Sequence, residues 1–329
     1  MLSPPPSRGR AREGADSFCD SMTSSNKRKL QRSLQPPPSP SPTRGEGINR
    51  QGRESSLPDI SPLTPLSLAS LAVTVLTTTD PADKSAAARA MAAAWREGSL
   101  PLGRATPPDR PARPERPELR RPGDMPKRRA SGSTAHRVAL LHALAHIELN
   151  AIDLACDILV RFPDAGMPRA FHDDWVAVAD EEAKHFGLLS DRLAALGAAY
   201  GDLPAHDGLW QAAEETAGEL LARLAIVPLV LEARGLDVTP KMIGDLKRAE
   251  DEASAAVLAV IYEEEIGHVA IGRRWFLFEC ERRGLDPARA WADLVRKHFK
   301  RNLKPPFNDK ARIAAGLVPA EYAALAERG

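Results

Sequence analysis

The sequence predicts an all-α protein built on a four-helix bundle, with extra helices on its N- and C-terminal sides. Three observations carry that expectation. From residue 133 onward, apolar residues recur at steps of three and four, the spacing that lines one face of a helix. No stretch there alternates with the period of two that a half-buried strand requires. Aromatic residues make up only 5% of the 329 residues, and Ala and Leu dominate the second half, which favours helix over sheet.

Taken in order, residues 1–60 are rich in Pro, Ser, Gly and Arg and lack apolar periodicity, so they read as a disordered tail that buries too little to offset its ordering entropy. Residues 61–98 read as a small helical segment. It has an apolar run from Leu66 to Leu76, a turn at Asp80-Pro81 and a strong helix former over 84–97. Residues 99–132 are Pro-rich with interleaved arginines, the pattern of a semi-rigid extended spacer or, alternatively, a basic contact strip. Residues 133–329 form the main domain. Its helices are expected at about 134–162, 168–196, 206–233 and 239–283. Gly197, Gly235 and Gly284 serve as stops, and Thr239-Pro240 opens the fourth helix. A shorter helix at 287–301 and a tail over 307–327 close one end of the bundle.

A net charge of +1 gives no bulk preference for nucleic acid or for a membrane surface. The longest apolar run, 66–76, is too short to span a bilayer, and no signal-peptide layout opens the chain. Cys19, Cys156 and Cys280 are an odd, sparse set without CxxC, which suits a reducing, cytoplasmic setting and not a disulfide framework.

The chemistry sits on the buried stripes. One ladder runs Leu141, Ala145, Glu148, Ile152, Ala155, Leu159, and a second runs Trp175, Val178, Glu182, His185, Leu189, Leu193. The third is Leu221, Ala225, Pro228, Glu232, and the fourth Leu258, Ile261, Glu265, His268, Gly272, Trp275. Each helix thus places a carboxylate in an apolar stripe, and two add a histidine three residues on. A buried unpaired carboxylate costs several kcal/mol, so four together require counter-charge. Two divalent cations cancel four carboxylates and leave both imidazoles neutral. Glu-x-x-His projects both side chains from adjacent turns of one face, so both reach one ion. Mixed oxygen and nitrogen ligation suits iron, with manganese as the alternative metal. The expected metal and catalytic residues are Glu148, Glu182, His185, Glu232, Glu265 and His268. Helices two and four also carry the acid runs 180–182 and 263–265, so a stripe rotated by one residue would turn Glu181 or Glu264 inward instead.

Several neighbours invite a role. His146, two residues from Glu148, reads as a partner-bonded histidine or an outer support of the ligands. Asp153 is a candidate to bond a ligand imidazole. Tyr262 reads as packing, with a radical carrier as the sharper alternative. Pro228 should disturb the third helix one turn before Glu232. Gly267 and Gly272, flanking His268, allow close helix approach or open space. Arg296, Lys297, Lys300, Arg301 and Lys304 form a basic cluster, a solvated surface or a phosphate contact.

The segments HIELNAID (146–153), DEEAKHF (180–186), LEARGLDVTPKM (231–242), EEEIGHVAIGRRWF (263–276) and LKPPFNDKAR (303–312) resemble domain-of-unknown-function family 455, over about residues 62–325. That resemblance implies a ferritin-like fold and a di-metal centre, without a substrate. Wider kin of the family include a di-iron hydroxylase that oxidises a hypermodified adenosine in tRNA. By this analogy the expected function is a di-iron carboxylate oxidoreductase, an oxygen-dependent hydroxylase or oxidase, acting on an organic substrate such as a modified nucleoside in tRNA. The alternatives are an iron-binding ferritin-like protein without an organic substrate, and a non-catalytic helical interaction module. The sequence names neither substrate nor electron donor.

Overall fold

The computed structural model describes residues 66–121, 124–125 and 132–326. The tail expected over 1–60 lies outside them, as do residues 61–65, 122–123 and 126–131 of the two segments that follow it. Among the described residues the elements are helices, with one isolated bridge between Leu119 and Ala205.

The first two helices form a pair. In α1 (Leu68–Thr77), Ser67 and Ser70 make a reciprocal capping box. In α2 (Pro81–Arg96), Asp80 caps the amides of Ala82 and Asp83, with Pro81 in the first turn. Their apolar faces, including Val75, Leu76, Met91 and Trp95, are buried, α1 against the helix Thr134–Arg161 and α2 against the helix Arg169–Ala195. The Pro-rich segment after α2 runs as an extended strap. Arg113 turns inward to Asp153 and Asn150, while the exposed Arg110 pairs with Asp207 and Glu214 at the surface.

The three longest helices among the described residues are α3 (Thr134–Arg161), α4 (Arg169–Ala195) and α8 (Glu252–Arg282). Between α4 and α8 lie α5 (Gly208–Glu215), α6 (Leu220–Ile226), a π-helical turn (Val227–Glu232) and α7 (Ala233–Arg248). α3 packs along α4, α4 along α8, and α8 along α7 and the π turn. α3 is buried on every side from Glu148 to Val160. One face carries Leu141, Ala145, Glu148 and Ile152. The face under the strap carries His146, Asn150, Asp153 and Asp157.

The third and fourth helices depart from expectation. The single run expected over 206–233 is broken at Thr216, whose hydroxyl bonds back to Ala212 O and accepts from Arg223 Nε at 2.9 Å. The helix then continues through Gly235 and Pro240 to Arg248, so neither marks a boundary. Proline removes the amide that would bond the carbonyl four residues back. Here that carbonyl, Leu236 O, accepts instead from Asn308 Nδ2 at 3.0 Å. The real boundary lies at Glu250, which adopts a positive φ of 57°, and at Asp251, which caps α8 through Ser254 N. Gly284 (φ 65°) ends α8 as expected.

Beyond α8, α9 (Pro287–Leu294) runs into a second π turn (Val295–Phe299), and α10 (Asp309–Ala314) and α11 (Pro319–Ala324) follow. Arg312 fastens α10 to Asp237 of α7, two bonds of 2.8 Å with both groups buried. None of the helices is long and apolar enough to cross a membrane, among the described residues.

Candidate metal centre

Four segments deliver the buried acids and imidazoles to one place. Glu148 comes from the middle of α3, Glu182 and His185 from α4, Glu265 and His268 from α8. Glu232 is the last residue of the π turn. Pro228 is the second residue of that turn, and a π turn holds one residue more than an α turn, which shifts the register in which Glu232 arrives. Gly272 of α8 lies directly against Pro228, where a Cβ would overlap the proline ring. That close approach brings α8 onto the turn. Gly267 has no neighbour within 4 Å of where its Cβ would be.

Glu182 and His185 are wholly buried, and His268 is 1% exposed. One oxygen or nitrogen from each of Glu148, Glu182, His185 and Glu265 lies within 4.8 Å of the others. His185 Nδ1 stands 3.3 Å from Glu182, 3.5 Å from Glu148 and 4.0 Å from Glu265. His268 Nδ1 stands 2.9 Å from Glu182 and 3.7 Å from Glu265. The 2.9 Å approach lacks hydrogen-bond alignment, so Nδ1 is left without a bonded partner. So are Glu148 Oε2, Glu182 Oε1, Glu232 Oε2 and Glu265 Oε2, all buried. Buried polar atoms are normally paired. Five orphans in one cluster, four of them carboxylate oxygens, are the donor set a divalent cation satisfies.

Electrostatics agree. Burial, and then the neighbouring Glu182, push the Glu148 carboxyl well above the usual range. Burial with Glu265 and Glu182 does the same to Glu232. Burial with Glu182 raises Glu265. Burial alone would lower His185, but the Glu148 and Glu182 carboxylates that face it outweigh that and push it up to about 11. His268 is likewise raised against its burial, by Glu182 and Glu265. Glu182 is lowered despite its burial, because His268 and His185 face it. Without an ion, protons supply the missing positive charge.

The outer nitrogens of the two imidazoles have acid partners. His185 Nε2 is 2.7 Å from Glu264 Oε2, and His268 Nε2 is 2.7 Å from Glu181 Oε2. Lys184 Nζ contacts the other oxygen of Glu264 at 2.5 Å. Glu181 and Glu264 therefore do not replace Glu182 and Glu265 in the interior, and a separate place for them was not foreseen. The signal was present, since both motifs read Glu-Glu-x-x-His.

The other singled-out residues resolve as follows. His146 is partner-bonded, with Tyr200 OH at 2.8 Å from Nδ1 and His206 O at 3.2 Å from Nε2, and burial pushes its pKa down to about 3. Asp153 does not reach a cluster imidazole. It is wholly buried between Lys84 Nζ, at 2.5 Å, and Arg113. A buried lysine needs such a partner, and α2 and the strap supply the cations that claim this acid. The Tyr262 hydroxyl accepts from Asn308 Nδ2 at 2.9 Å, a packing role. In the basic cluster all five side chains are exposed, with Arg296 paired to Asp293 and Lys300 to Glu215.

A family profile described as "Protein of unknown function (DUF455)" matches residues 77–323, three quarters of the chain. The chain belongs to the DUF455 family. A relative in Haemophilus influenzae, described as an uncharacterized protein, is 42% identical over 213 residues, covering 63% of this chain and 74% of that one. No solved structure matches the chain.

Proposed function

We propose that this DUF455 protein is a di-iron carboxylate oxidoreductase whose core is a ferritin-like four-helix bundle made of α3, α4, the α6–π–α7 segment and α8. The observation that carries the reading is the set of unpaired, buried oxygens of Glu148, Glu182, Glu232 and Glu265 around the Nδ1 atoms of His185 and His268. One carboxylate from each of two segments and a Glu-x-x-His pair from each of two others is the ligand arrangement of di-metal carboxylate bundles. Two iron ions, or manganese in their place, would be held by these six residues and would supply reduction of oxygen coupled to oxidation of an organic substrate.

The protein's own part is positional and electrostatic. Glu182 faces both imidazoles and would help hold the metal. Glu148 lies on the His185 side, and Glu232, near Glu265 and His268, completes the other. The substrate class that fits the family analogy is a modified nucleoside in tRNA, with the exposed Arg296, Lys297, Lys300, Arg301 and Lys304 as the phosphate contact.

Protein purified without oxygen tests the reading. It should carry close to two iron or manganese ions per chain, and admitting oxygen should produce near-ultraviolet ferric absorbance. Metal at background level would end the proposal. Two ions whose oxidation turns over no organic substrate would favour an iron-handling protein instead.

A further inference from the structure

We infer that Glu181 and Glu264 are positioning residues that serve each other's histidine across the α4–α8 interface, so that each Glu-Glu-x-x-His motif orients the ligand of the opposite motif. The inference deepens the metal reading and rests on it.

The geometry is reciprocal. Glu181 of α4 meets His268 of α8, and Glu264 of α8 meets His185 of α4, both at 2.7 Å from Nε2. In each motif the second glutamate faces the interior and the first faces the partner helix. The two residues are adjacent, so their side chains diverge by about 100° around the helix. An imidazole that donates from Nε2 to a carboxylate keeps a lone pair on Nδ1 when neutral, and Nδ1 is the nitrogen that faces Glu182 in both rings. The carboxylate therefore selects the tautomer, fixes the ring plane and raises the basicity of the nitrogen presented to an ion. Glu264 is itself held, by Lys184. Among the described residues no cation is paired with Glu181, which is also the more exposed of the two, at 43% against 29%.

The consequence is crossed dependence. Removing Glu264 should loosen the ion beside His185, on the other helix, and leave that beside His268. Removing Glu181 should do the reverse. Loss of such an outer partner typically costs about 10–100-fold in metal affinity.

Cobalt(II) added to the full-length, metal-free protein is the probe, read by hyperfine-shifted proton resonances and by titration. Wild-type protein should show two shifted, solvent-exchangeable resonances, the Nε2–H protons of His185 and His268, assigned by which one disappears in His185→Ala and His268→Ala. Glu264→Ala should lose or broaden the His185 resonance alone and weaken one cobalt equivalent about 10–100-fold. Glu181→Ala should act in the same way on His268 alone. Glu264→Gln and Glu181→Gln, which keep an acceptor, should restore the resonance, as bulk charge would not. Helicity and melting temperature close to wild type establish that the variants fold. An effect confined to the histidine of the mutated helix, an equal effect on both, or none overturns the inference while wild type still binds two cobalt ions. No cobalt binding by wild type overturns the metal reading and this inference together.

Discussion

Gly272 of α8 lies against Pro228 of the π turn so closely that the glycine has no room for a Cβ. The contact fixes how α8 sits over the turn that ends in Glu232. Gly272→Ala should therefore cost about 1–3 kcal/mol, the usual penalty for overpacking a core, and should weaken metal binding as well. Gly267, five residues earlier on an exposed face, has open space around it. Gly267→Ala should act in the opposite direction, gaining about 0.5–1 kcal/mol from helix propensity. Urea denaturation of the two variants checks both signs.

Asn308 and Pro240 form a second coupled pair. The asparagine amide takes the Leu236 carbonyl that the proline leaves without an amide. It also bonds Tyr262 and caps α10. Asn308→Ala should destabilise by about 1–3 kcal/mol, the cost of stranding buried polar groups. Part of that loss should disappear in a Pro240→Ala background, where the helix supplies its own amide. A double-mutant cycle in denaturant measures the coupling, and strict additivity would contradict the assignment.

The cluster trades stability for binding. Glu232 Oε2 is buried without a partner. Glu232→Gln, uncharged and of the same size, should raise the stability of the metal-free protein by about 1–3 kcal/mol while lowering bound metal. Glu148→Ala and His268→Ala should likewise lower metal content, with circular dichroism unchanged. Metal analysis and thermal melts on the same samples separate the two effects.

Protonation gives a pH signature. Glu148, Glu232 and Glu265 have raised pKa values, and His185 is pushed up to about 11. The folded, metal-free cluster therefore holds protons that the unfolded chain would release. By linkage, stability falls as pH rises, above about 4.5 for the carboxyls and from about 6.5 to about 11 for His185. Ions displace those protons, so metal-loaded protein should lack the trend. The gap in melting temperature between loaded and metal-free protein should widen from about pH 6 to about pH 9. Metal addition to weakly buffered protein should release protons. A gap that narrows with pH would contradict the electrostatic account.

Much of this architecture was legible because burial imposes a period. Glu148 interrupts the ladder of Leu141, Ala145 and Ile152, and a carboxylate in an apolar stripe stands out. The same holds for Glu182, His185, Glu265 and His268. What was misread depends on contacts distant in sequence. Gly235 is a local stop signal and Thr239-Pro240 a local start signal, yet one helix runs through both, and at Pro240 an amide from Asn308, 72 residues beyond the carbonyl it takes, replaces the missing one. Asp153 looks like a support for a ligand histidine until Lys84 and Arg113, from preceding segments, claim it. The roles of Glu181 and Glu264 need the relative placement of α4 and α8, which no single-helix pattern contains. The π turn that holds Pro228 packs on Gly272, and periodicity sees only the proline.

The central claim is that six side chains from four segments hold two ions. Crystals grown with iron or manganese, measured on both sides of that metal's absorption edge, test it most directly. Two anomalous peaks are expected, bounded by the carboxylates of Glu148, Glu182, Glu232 and Glu265, with Nδ1 of His185 and Nδ1 of His268 at bonding distance. No peak at that position, or peaks only at exposed carboxylates elsewhere, would contradict it.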